Sequence, residues 1–383
     1  MTTILLDVTR LVTRLQEGTL PTGVDRVGLA YIQRYGGQAR AVLSERGYSA
    51  VLSESHSQWL FSRLSTSTRK PWATRSLIAR ALVTATHPQR FEHAVLLHTS
   101  HSGMEFPRYY RAMQKRNAHP VFMVHDLIPL THAEYCRPGI ADIHRTRIHT
   151  ALQLAKGLIA NSHDTLHAIE DEAQRAGLAL PPCVVAHLAP GVLIHPSRPA
   201  PLDTPYFVML GTIEPRKNHW FLLHVWRKLA EKYGDAAPKL VIIGRRGWEC
   251  ENVIDMLERC ESIRNVVIEE ANCTDDQLHG WLQHARALLF PSFAEGYGMP
   301  LVEALSSRIP VIASNLGVFT EVAGDVPDYL DPLDGPGWIA RIMAYSTPNS
   351  IERSDQLQRV KRFQRPTWDA HFAAVDRFIA ALD

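Results

Sequence analysis

Short runs of consecutive apolar residues recur along the chain, and longer amphipathic stretches separate them. In the first half the runs fall at residues 3–8, 94–99, 121–126, 157–161 and 183–187. In the second half they fall at residues 206–211, 239–244, 266–270, 287–291 and 310–314. Continuous apolar runs of this length are typical of strands that are buried on both faces of a parallel sheet.

The stretches between these runs have helical spacing. In residues 219–234, Trp220, Leu223 and Leu229 recur at roughly helical intervals, and Gly234 provides a stop. Strands that alternate with helices in this way form parallel sheets covered by helices on both faces. The pattern therefore predicts an α/β protein whose ligands bind at the carboxyl ends of the strands.

A proline-rich segment divides the chain. Residues 195–205, "HPSRPAPLDTP", contain four prolines in eleven positions, which disfavours both helix and central strand. A length of 383 residues suits two domains of about 150–200 residues each. We predict an N-terminal domain over 1–197, a C-terminal domain over 198–366 and a final helix over 367–383.

Composition narrows the class of protein. Hydrophobic content of 45% and charged content of 21% are ordinary for a globular chain. The five cysteines show no paired spacing, which indicates reduced thiols in a cytosolic protein. No apolar stretch approaches the 18 residues of a spanning helix. We predict a cytoplasmic protein, with peripheral contact at the inner face of the cytoplasmic membrane as an open alternative.

That alternative depends on the distribution of charge. Residues 1–200 carry 22 Lys+Arg and 14 Asp+Glu, a difference of +8, so residues 201–383 carry 19 and 25, a difference of −6. No acidic residue lies between Ser55 and Phe91, where basic residues alternate with aromatics such as Trp59 and Trp72. Residues 57–90 would suit a membrane surface or an acidic acceptor. A basic surface with its aromatics packed inward explains them equally well.

Two loops after predicted strands carry candidate chemistry. Arg216 and Lys217 follow the run at 206–211 and precede a helix, where backbone N–H groups add to their charge at an anion site. Two solvated cations at a helix start are the alternative. The turn "RRGWE" at 245–249 is either a plain turn or a close backbone approach to a ligand.

The third loop, "FAEGYGMPLVEAL" at 293–305, holds two carboxylates on either side of a break. Pro300 suits the first turn of a helix, so Glu295 falls on the loop and Glu303 one turn into the helix. A carboxylate accepts hydrogen bonds from pairs of sugar hydroxyls. With N–H groups between them for phosphate, the two would grip a nucleotide sugar. An acidic first turn of a helix is the alternative, but it explains Glu303 and not Glu295.

Taken together, these motifs resemble the GT-B glycosyltransferases, specifically retaining family 4. "EGYGMPLVE" resembles the family's E-x7-E motif, and "GTIEPRKN" at 211–218 its phosphate-binding motif. "PTGVDRV" at 21–27 resembles its glycine loop and "VHDLIPL" at 124–130 its His-Asp segment. The chain departs from the family at Thr212, where many members have arginine. The resemblance spans nearly the whole chain and is weakest over 40–95.

The resemblance implies the GT-B fold, in which two Rossmann-like lobes face each other across a cleft and the last helix crosses back to the first lobe. It implies that Arg216 and Lys217 neutralise the diphosphate, Glu303 binds ribose, Glu295 binds the donor sugar and His125 lies beside the reacting sugar. His125, Glu295, Arg216 and Lys217 would be catalytic. The implied donor-binding set is Gly23, Gly211, Arg216, Lys217, Glu270, Asn272, Glu295, Gly296, Tyr297, Gly298, Met299, Leu301 and Glu303.

The implied reaction moves a hexose from a nucleotide-diphosphate sugar to a saccharide or lipid-diphosphate-linked acceptor, with retention, in polysaccharide biosynthesis. GDP-mannose is the favoured donor. No D-x-D sequence and no His/Cys cluster at ligand spacing occurs, so we expect no metal. We also expect no other cofactor and no nucleic-acid partner. A sugar-nucleotide epimerase or hydrolase, and a non-catalytic nucleotide-sugar-binding subunit, stay open as alternatives.

Overall fold

The computed structural model describes residues 2–19, 21–66, 90–191 and 199–382. It divides into two units. The first unit consists of Met1–Thr131, Gly139–Gly191 and Thr367–Asp383, and the second of His132–Pro138 and Val192–Pro366. Of the predicted linker, 195–198 lie outside the described residues and 199–205 form neither helix nor strand. Most of the basic segment 57–90 also lies outside them, since 67–89 are not described.

The described part of the first unit contains a seven-stranded sheet in the order β3-β2-β1-β4-β5-β6-β7. Its strands are β1 Thr3–Asp7, β2 Arg40–Glu45, β3 Tyr48–Val51, β4 Ala94–His98, β5 Ala118–Val124, β6 Gly157–Ala160 and β7 Cys183–Val185. Its helices are Thr9–Glu17, Gly23–Tyr35, Glu54–Ser65, Pro107–Gln114, Ile128–Thr131, Ile140–Leu154, His163–Ala176 and Trp368–Ala381.

One hairpin departs from the predicted all-parallel arrangement. β2 and β3 pair antiparallel, with Val42 opposite Val51, whereas the other neighbouring pairs in the sheet are parallel. Neither strand was predicted, because β3 has only partial burial and Arg46 and Gly47 interrupt the apolar pattern. The hairpin forms one edge of the sheet, where strands need less apolar surface.

The final helix, Trp368–Ala381, belongs to the first unit. Thr367 caps it by accepting a hydrogen bond from the N–H of Ala370. Phe372 contacts Tyr31 edge to face at 5.1 Å between ring centroids, and Tyr31 Oη lies 3.0 Å from His371 Nε2. The buried face of this helix is formed by His371, Phe372, Val375 and Ile379.

The described part of the second unit contains a six-stranded sheet in the order β10-β9-β8-β11-β12-β13, with parallel pairing throughout. Its strands are β8 Tyr206–Leu210, β9 Lys239–Ile243, β10 Val267–Glu270, β11 Leu288–Phe290, β12 Val311–Ser314 and β13 Asp328–Leu330. Its helices are His219–Tyr233, Glu251–Arg259, Asp275–His284, Met299–Ser306, Gly317–Ala323, Gly335–Ser346 and Ile351–Arg362. β13 was not predicted, because its three residues are only half buried.

The strand order of the second unit locates its ligand-binding edge. From β8 the chain moves to β9 and β10 on one side, and β11 then pairs on the other side of β8. The loops that follow β8 and β11 diverge from such a reversal and leave a crevice at the carboxyl ends of the strands. These are the loops that hold Arg216, Lys217 and Glu295.

Residues 132–138 belong to the second unit although elements of the first unit flank them in sequence. Tyr135 stacks on Phe293 with ring centroids 5.3 Å apart and an interplanar angle of 8°. The Arg137 guanidinium lies 5.5 Å from the centroid of the Trp248 ring. The sequence pattern did not predict this association.

Candidate functional site

Three charged side chains meet where β8 and β11 end. Lys217 Nζ lies 2.5 Å from Glu295 Oε1, and Arg216 Nη1 lies 2.8 Å from Glu295 Oε2. The side chains of Lys217 and Glu295 are each 8% exposed. We call Arg216, Lys217 and Glu295 the ion cluster. It brings together three residues that the sequence predicted to share one site.

Neighbouring groups hold the ion cluster in place. Glu214 Oε1 lies 2.7 Å from Arg216 Nε, and Ser292 Oγ donates a hydrogen bond of 2.8 Å to Glu295 Oε1. The Phe290 ring lies 4.8 Å from Lys217 Nζ. Sequence analysis missed these residues, although Glu214 stands two positions before Arg216 in the same motif. They leave the side chains of the cluster little freedom to reorient.

The two loops also bind each other through backbone atoms. The N–H of Phe293 donates to the Arg216 carbonyl at 2.8 Å, and Arg216 Nη1 donates to the Ala294 carbonyl at 3.0 Å. Asn218 Nδ2 donates to the carbonyl of Pro291 at 3.1 Å. The loop after β8 and the loop after β11 therefore form one rigid structure, on which the ion cluster is built.

Two glycines are required by this geometry. Gly211 has φ +139°, and an added Cβ would lie 3.3 Å from Lys217 Cε. Gly298 has φ +95°, and an added Cβ would lie 2.7 Å from Phe319 Cε1. Both positions combine a left-handed backbone with close packing, so another residue would be strained at either position. The glycines allow Lys217 to lie along the end of β8 and the helix Met299–Ser306 to begin close to Phe319.

The electrostatics favour a charged Glu295. Burial alone would raise the pKa of Glu295, but Arg216 and Lys217 outweigh it and lower the pKa to about 2. The pKa of Lys217 is lowered by burial and by Arg216, while Glu295 opposes the change. The charges of Arg216 and Lys217 balance those of Glu214 and Glu295, so another anion must replace a carboxylate to bind. A second anion would find both cations already oriented.

The other residues of this loop that were predicted to bind the donor lie around the start of the helix Met299–Ser306. Tyr297 and Leu301 are buried, and Gly296 and Met299 are half-buried. Glu303 is the fifth residue of the helix Met299–Ser306 and is 7% exposed. It lies one turn into the helix, as predicted, on the opposite side of Gly298 in sequence from Glu295.

Glu270 and Asn272 lie farther along the same edge of the sheet. Glu270 ends β10, which is separated from β8 by β9. Two strand spacings amount to about 10 Å. Glu270 is half-buried and Asn272 is exposed. They can reach only the far end of a ligand whose phosphates lie at the ion cluster.

In the first unit, Gly23 begins the helix Gly23–Tyr35. Thr22 and Asp25 form a capping box, in which the Thr22 N–H donates to Asp25 Oδ2 at 2.7 Å. Arg10 Nε lies 2.7 Å from Asp25 Oδ1, and Arg14 Nε lies 3.3 Å from Oδ2. Burial alone would raise the pKa of Asp25, but Arg10 and Thr22 lower it. A buried carboxylate thus fixes the loop that carries Gly23.

His125 follows β5 and lies in a group of histidines. Its Nε2 lies 2.8 Å from the Thr99 carbonyl, so that nitrogen carries the proton and donates, and Nδ1 keeps its lone pair. Its own N–H donates to His101 Nε2 at 3.0 Å. The His101 ring lies 4.9 Å from that of His144. Burial lowers the pKa of all three histidines, so they are neutral near pH 7.

A family model of known proteins matches part of the second unit. Residues 193–327 match the model described as glycosyl transferases group 1, and this range contains the whole ion cluster together with Glu303. Residues 193–327 form a glycosyl transferases group 1 domain. The reversal of strand order and the family match therefore single out the same loops, those after β8 and β11.

Curated relatives extend the similarity. The serotype-specific mannosyltransferase WbdA of Escherichia coli is 26% identical over 278 residues, which are 68% of this chain and 34% of that protein. The O-antigen chain mannosyltransferase B of Escherichia coli is 35% identical over 162 residues, or 41% of this chain and 42% of that protein. The chain thus spans about a third of the length of the WbdA proteins that it matches.

Solved structures share the fold over the full chain. HepE of Anabaena, in complex with UDP-glucose, has a TM-score of 0.67 at 14% identity and covers 100% of both chains. Sucrose-phosphate synthase of Thermosynechococcus elongatus has a TM-score of 0.61 at 14% identity, covering 100% of this chain and 99% of that one. The predicted fold class, that of the GT-B glycosyltransferases with two Rossmann-like domains, is confirmed.

Metal-binding clusters and membrane-spanning helices are both absent from the part of the chain that the structure describes. Within residues 2–19, 21–66, 90–191 and 199–382, no three His, Cys, Asp or Glu side chains are grouped so that they could hold a metal ion. Over the same ranges, no helix has the length and hydropathy needed to cross a bilayer.

Proposed function

We propose that the protein is a retaining family 4 glycosyltransferase that moves a hexose from a nucleotide-diphosphate sugar to a saccharide or lipid-diphosphate-linked acceptor, without a metal ion. The observation that supports this most directly is the ion cluster. A buried lysine and a partly buried arginine converge on one carboxylate at the strand-order reversal of the group 1 domain. A diphosphate requires this kind of preoriented positive charge at the carboxyl ends of parallel strands.

The proposed binding step is an exchange of anions. Glu295 forms ion pairs with both Arg216 and Lys217. The donor diphosphate takes over the two cations, and Glu295 is then released to accept hydrogen bonds from hydroxyls of the donor sugar. Because Ser292 holds the same oxygen that Lys217 contacts, the carboxylate keeps its position near the phosphates after the exchange.

The proposed chemical step depends on the charge of the leaving group. As the bond between the sugar and the phosphate breaks, negative charge grows on the phosphate, and fixed cations stabilise it more than they stabilise the bound donor. In the proposed mechanism the acceptor hydroxyl attacks on the face that the phosphate leaves, with the leaving phosphate assisting, which gives retention. Glu295 is not assigned as a nucleophile.

Residues of the first unit keep the roles implied by the resemblance. Gly23 would lie beneath the diphosphate and His125 beside the reacting sugar. The neutral state of His125 supports a hydrogen-bonding role over that of a charged acid, since burial lowers its pKa. In the second unit, Glu303 would bind ribose, and Glu270 and Asn272 would flank the base.

We favour GDP-mannose as donor because relatives over both 278 and 162 residues are named mannosyltransferases. Their names also support a role in O-antigen or related glycan synthesis. The HepE complex contains UDP-glucose, so UDP-hexoses are the main competing donors. Thermal unfolding with GDP-mannose, UDP-glucose, a dTDP-sugar and a CMP-sugar separates these donors. A ligand at 100 times its Kd adds about 2.7 kcal/mol of stability.

A transferase must form a glycosylated acceptor as its product. GDP-mannose and oligomannoside acceptors, each with and without EDTA, should give a lengthened product that mass spectrometry detects and that EDTA does not abolish. Stabilisation by no nucleotide sugar would overturn the donor site. Stabilisation without transfer or hydrolysis would favour the non-catalytic binding subunit, and conversion of the donor without an acceptor would favour the epimerase or hydrolase.

We also propose that the protein acts in the cytoplasm, at the inner face of the membrane. The support is the run without acidic residues from Ser55 to Phe91. Flotation with anionic and with neutral liposomes at low and high salt tests this. Binding to anionic liposomes that salt reverses is expected, and absence of binding at low salt would leave only a water-phase acceptor.

A further inference from the structure

A cleft of about 540 Å³ opens on the second unit beside the ion cluster. Its wall includes Glu214, the turn before the helix His219–Tyr233, the first turns of that helix and the start of the helix Glu251–Arg259. Phe293 closes it on the side of the loop after β11. None of Arg216, Lys217, Glu295 and Glu303 lines it, so it is a separate space that shares a boundary with the ion cluster through Glu214.

The cleft presents aromatic surface to solvent. Trp220 lies in the first turn of its helix and is 42% exposed. His224, one turn later, contacts the Trp220 ring edge to face with centroids 4.5 Å apart. Phe293 is stacked on Tyr135. A half-exposed tryptophan at the mouth of a cleft, held by a neighbouring ring, is a ready surface for the apolar face of a ligand.

A buried polar side chain without a partner also lines the cleft. His219 is 1% exposed, and neither of its ring nitrogens has a hydrogen-bond partner among the described residues. A neutral imidazole has one donor and one acceptor, and buried polar groups are nearly always paired. Burial and then Lys217 lower the pKa of His219 to about 3, so the ring offers hydrogen bonds and no charge.

The polar groups of the wall select the class of ligand. Glu249 and Asn252 line the cleft, and so does Glu214, whereas no lysine or arginine of the described residues does. Glu214 is already paired with Arg216, and with no lysine or arginine in the described wall, the two carboxylates disfavour a phosphate in the cleft. A carboxylate, an amide and a neutral imidazole instead match hydroxyl groups, which both donate and accept. Aromatic faces next to hydroxyl-binding groups suit a sugar ring, which has an apolar face and a polar rim. The volume lies in the range of small-molecule sites.

We propose that this cleft binds a neutral saccharide unit of the acceptor glycan, stacked on Trp220 and hydrogen-bonded to His219. The inference rests on the proposed glycosyltransferase function and extends it, because it assigns part of acceptor recognition to the group 1 domain. An acceptor unit bound here adds binding energy away from the reacting hydroxyl.

The test uses Trp220→Ala and His219→Leu in the full chain, with Tyr48→Ala as control because Tyr48 is an exposed aromatic of the first unit. The probes are oligosaccharides of mannose, glucose, galactose, N-acetylglucosamine and rhamnose. Saturation-transfer NMR measures the binding of each one. Trp220→Ala should weaken binding about tenfold, as loss of a buried tryptophan contact does at interfaces. His219→Leu should weaken it about threefold to tenfold, the worth of one hydrogen bond.

His219→Leu also separates binding from structure. Since the change removes an unpaired polar group from a buried position, the melting temperature should stay the same or rise while saccharide binding falls. In turnover assays both variants should raise KM for the acceptor by a larger factor than they lower kcat. A fall in stability with unchanged saccharide binding would make His219 a packing residue and overturn its assignment.

Three further outcomes are decisive. If the wild type converts the donor but binds no saccharide, the inference is overturned and the proposed function is left intact. A rise in KM for the donor instead of the acceptor shows that the cleft holds the donor's own sugar and also overturns it. Saccharide binding that depends on Trp220, in a protein that neither binds nor converts any nucleotide sugar, supports the cleft and removes the proposed function.

Discussion

The carboxyl edges of the two sheets carry different kinds of polar group. After β8 and β11 of the second unit, Arg216, Lys217 and Glu295 are charged and bind one another directly. After β4 and β5 of the first unit, His101 and His125 are neutral, and their ring nitrogens bind backbone groups. The first unit also has a charged group, Asp25 with Arg10 and Arg14, but it holds the loop that carries Gly23 and does not follow β4 or β5.

This difference separates two physical tasks. Charge that is held in place by a weaker anion is ready to stabilise a stronger one without reorganisation, which is what phosphate chemistry needs. Neutral rings that are tied to backbone carbonyls fix the shape of a surface and the direction of a lone pair. If the comparison is right, changes in the second unit affect turnover most, and changes in the first unit affect it less.

The largest effect is expected for Lys217→Ala. It removes a fixed cation from the position where phosphate charge grows, so kcat should fall about 100- to 1,000-fold, as for other preorganised electrostatic groups. Steady-state turnover of the nucleotide sugar measures this. Lys228→Ala, an exposed lysine on the following helix, is the control and should change kcat little. Unchanged turnover in Lys217→Ala would remove the lysine from the mechanism.

The second effect concerns stability and pH, and it tests whether Glu295 is the replaceable anion. Glu295 has a pKa of about 2 in the folded protein and a reference value of 4.5. A lowered folded pKa gives stability that is present above about pH 4.5 and is lost as pH falls towards 2. The advantage of the wild type over Glu295→Gln in unfolding free energy should therefore shrink by about 2 kcal/mol between pH 6 and pH 3.

Urea unfolding of the second unit, followed by tryptophan fluorescence at pH 6, 4.5 and 3, provides this measurement. Glu231→Gln is the matched control, because Glu231 is half exposed in an i,i+4 pair with Arg227 and should contribute little. A wild-type advantage that is the same at pH 6 and pH 3 would show that Glu295 is not held as a carboxylate by the two cations.

The meeting of Arg216, Lys217 and Glu295 could be anticipated from sequence, because loops after neighbouring parallel strands share one edge. The direct contact of Glu295 with both cations could not be anticipated from the sequence. The motif indicated a sugar hydroxyl as the partner of Glu295, and a sequence motif does not show which neighbouring charges compensate a buried carboxylate in the folded protein. The role of Glu295 towards the sugar stays a prediction.

The features that escaped sequence analysis have little local pattern. The β2–β3 hairpin is short and partly exposed, so it lacks the apolar run that marked the other strands. In the sequence His219 is a polar residue at a helix start, and only the folded structure shows that it is buried. Residues 132–138 follow the first unit in sequence, and nothing in their composition assigns them to the second.

The third effect is smaller and concerns His125. His125→Leu should lower turnover only about threefold to tenfold, because the ring contributes a hydrogen bond and not a charge. Since burial lowers the pKa of His125, wild type and variant should show parallel pH profiles between pH 6 and 8. His125→Gln, which retains a donor, serves as the comparison. An ionisation near pH 6.5 that vanishes in His125→Leu would mean that the first unit also supplies charge.

The smallest effect is expected at Tyr135, which follows the His125 loop in sequence but stacks on Phe293 next to the ion cluster loop. Tyr135→Ala removes an aromatic pair worth about 1 kcal/mol, so the second unit should lose about that much stability. Amide exchange of residues 133–136 should become faster, because the stack is what holds this segment. Tyr135→Phe keeps the rings and should restore both values. If Tyr135→Ala instead lowered turnover as much as Lys217→Ala, the separation of a charged edge from a neutral one would be too simple, because a neutral contact would then control the charged site.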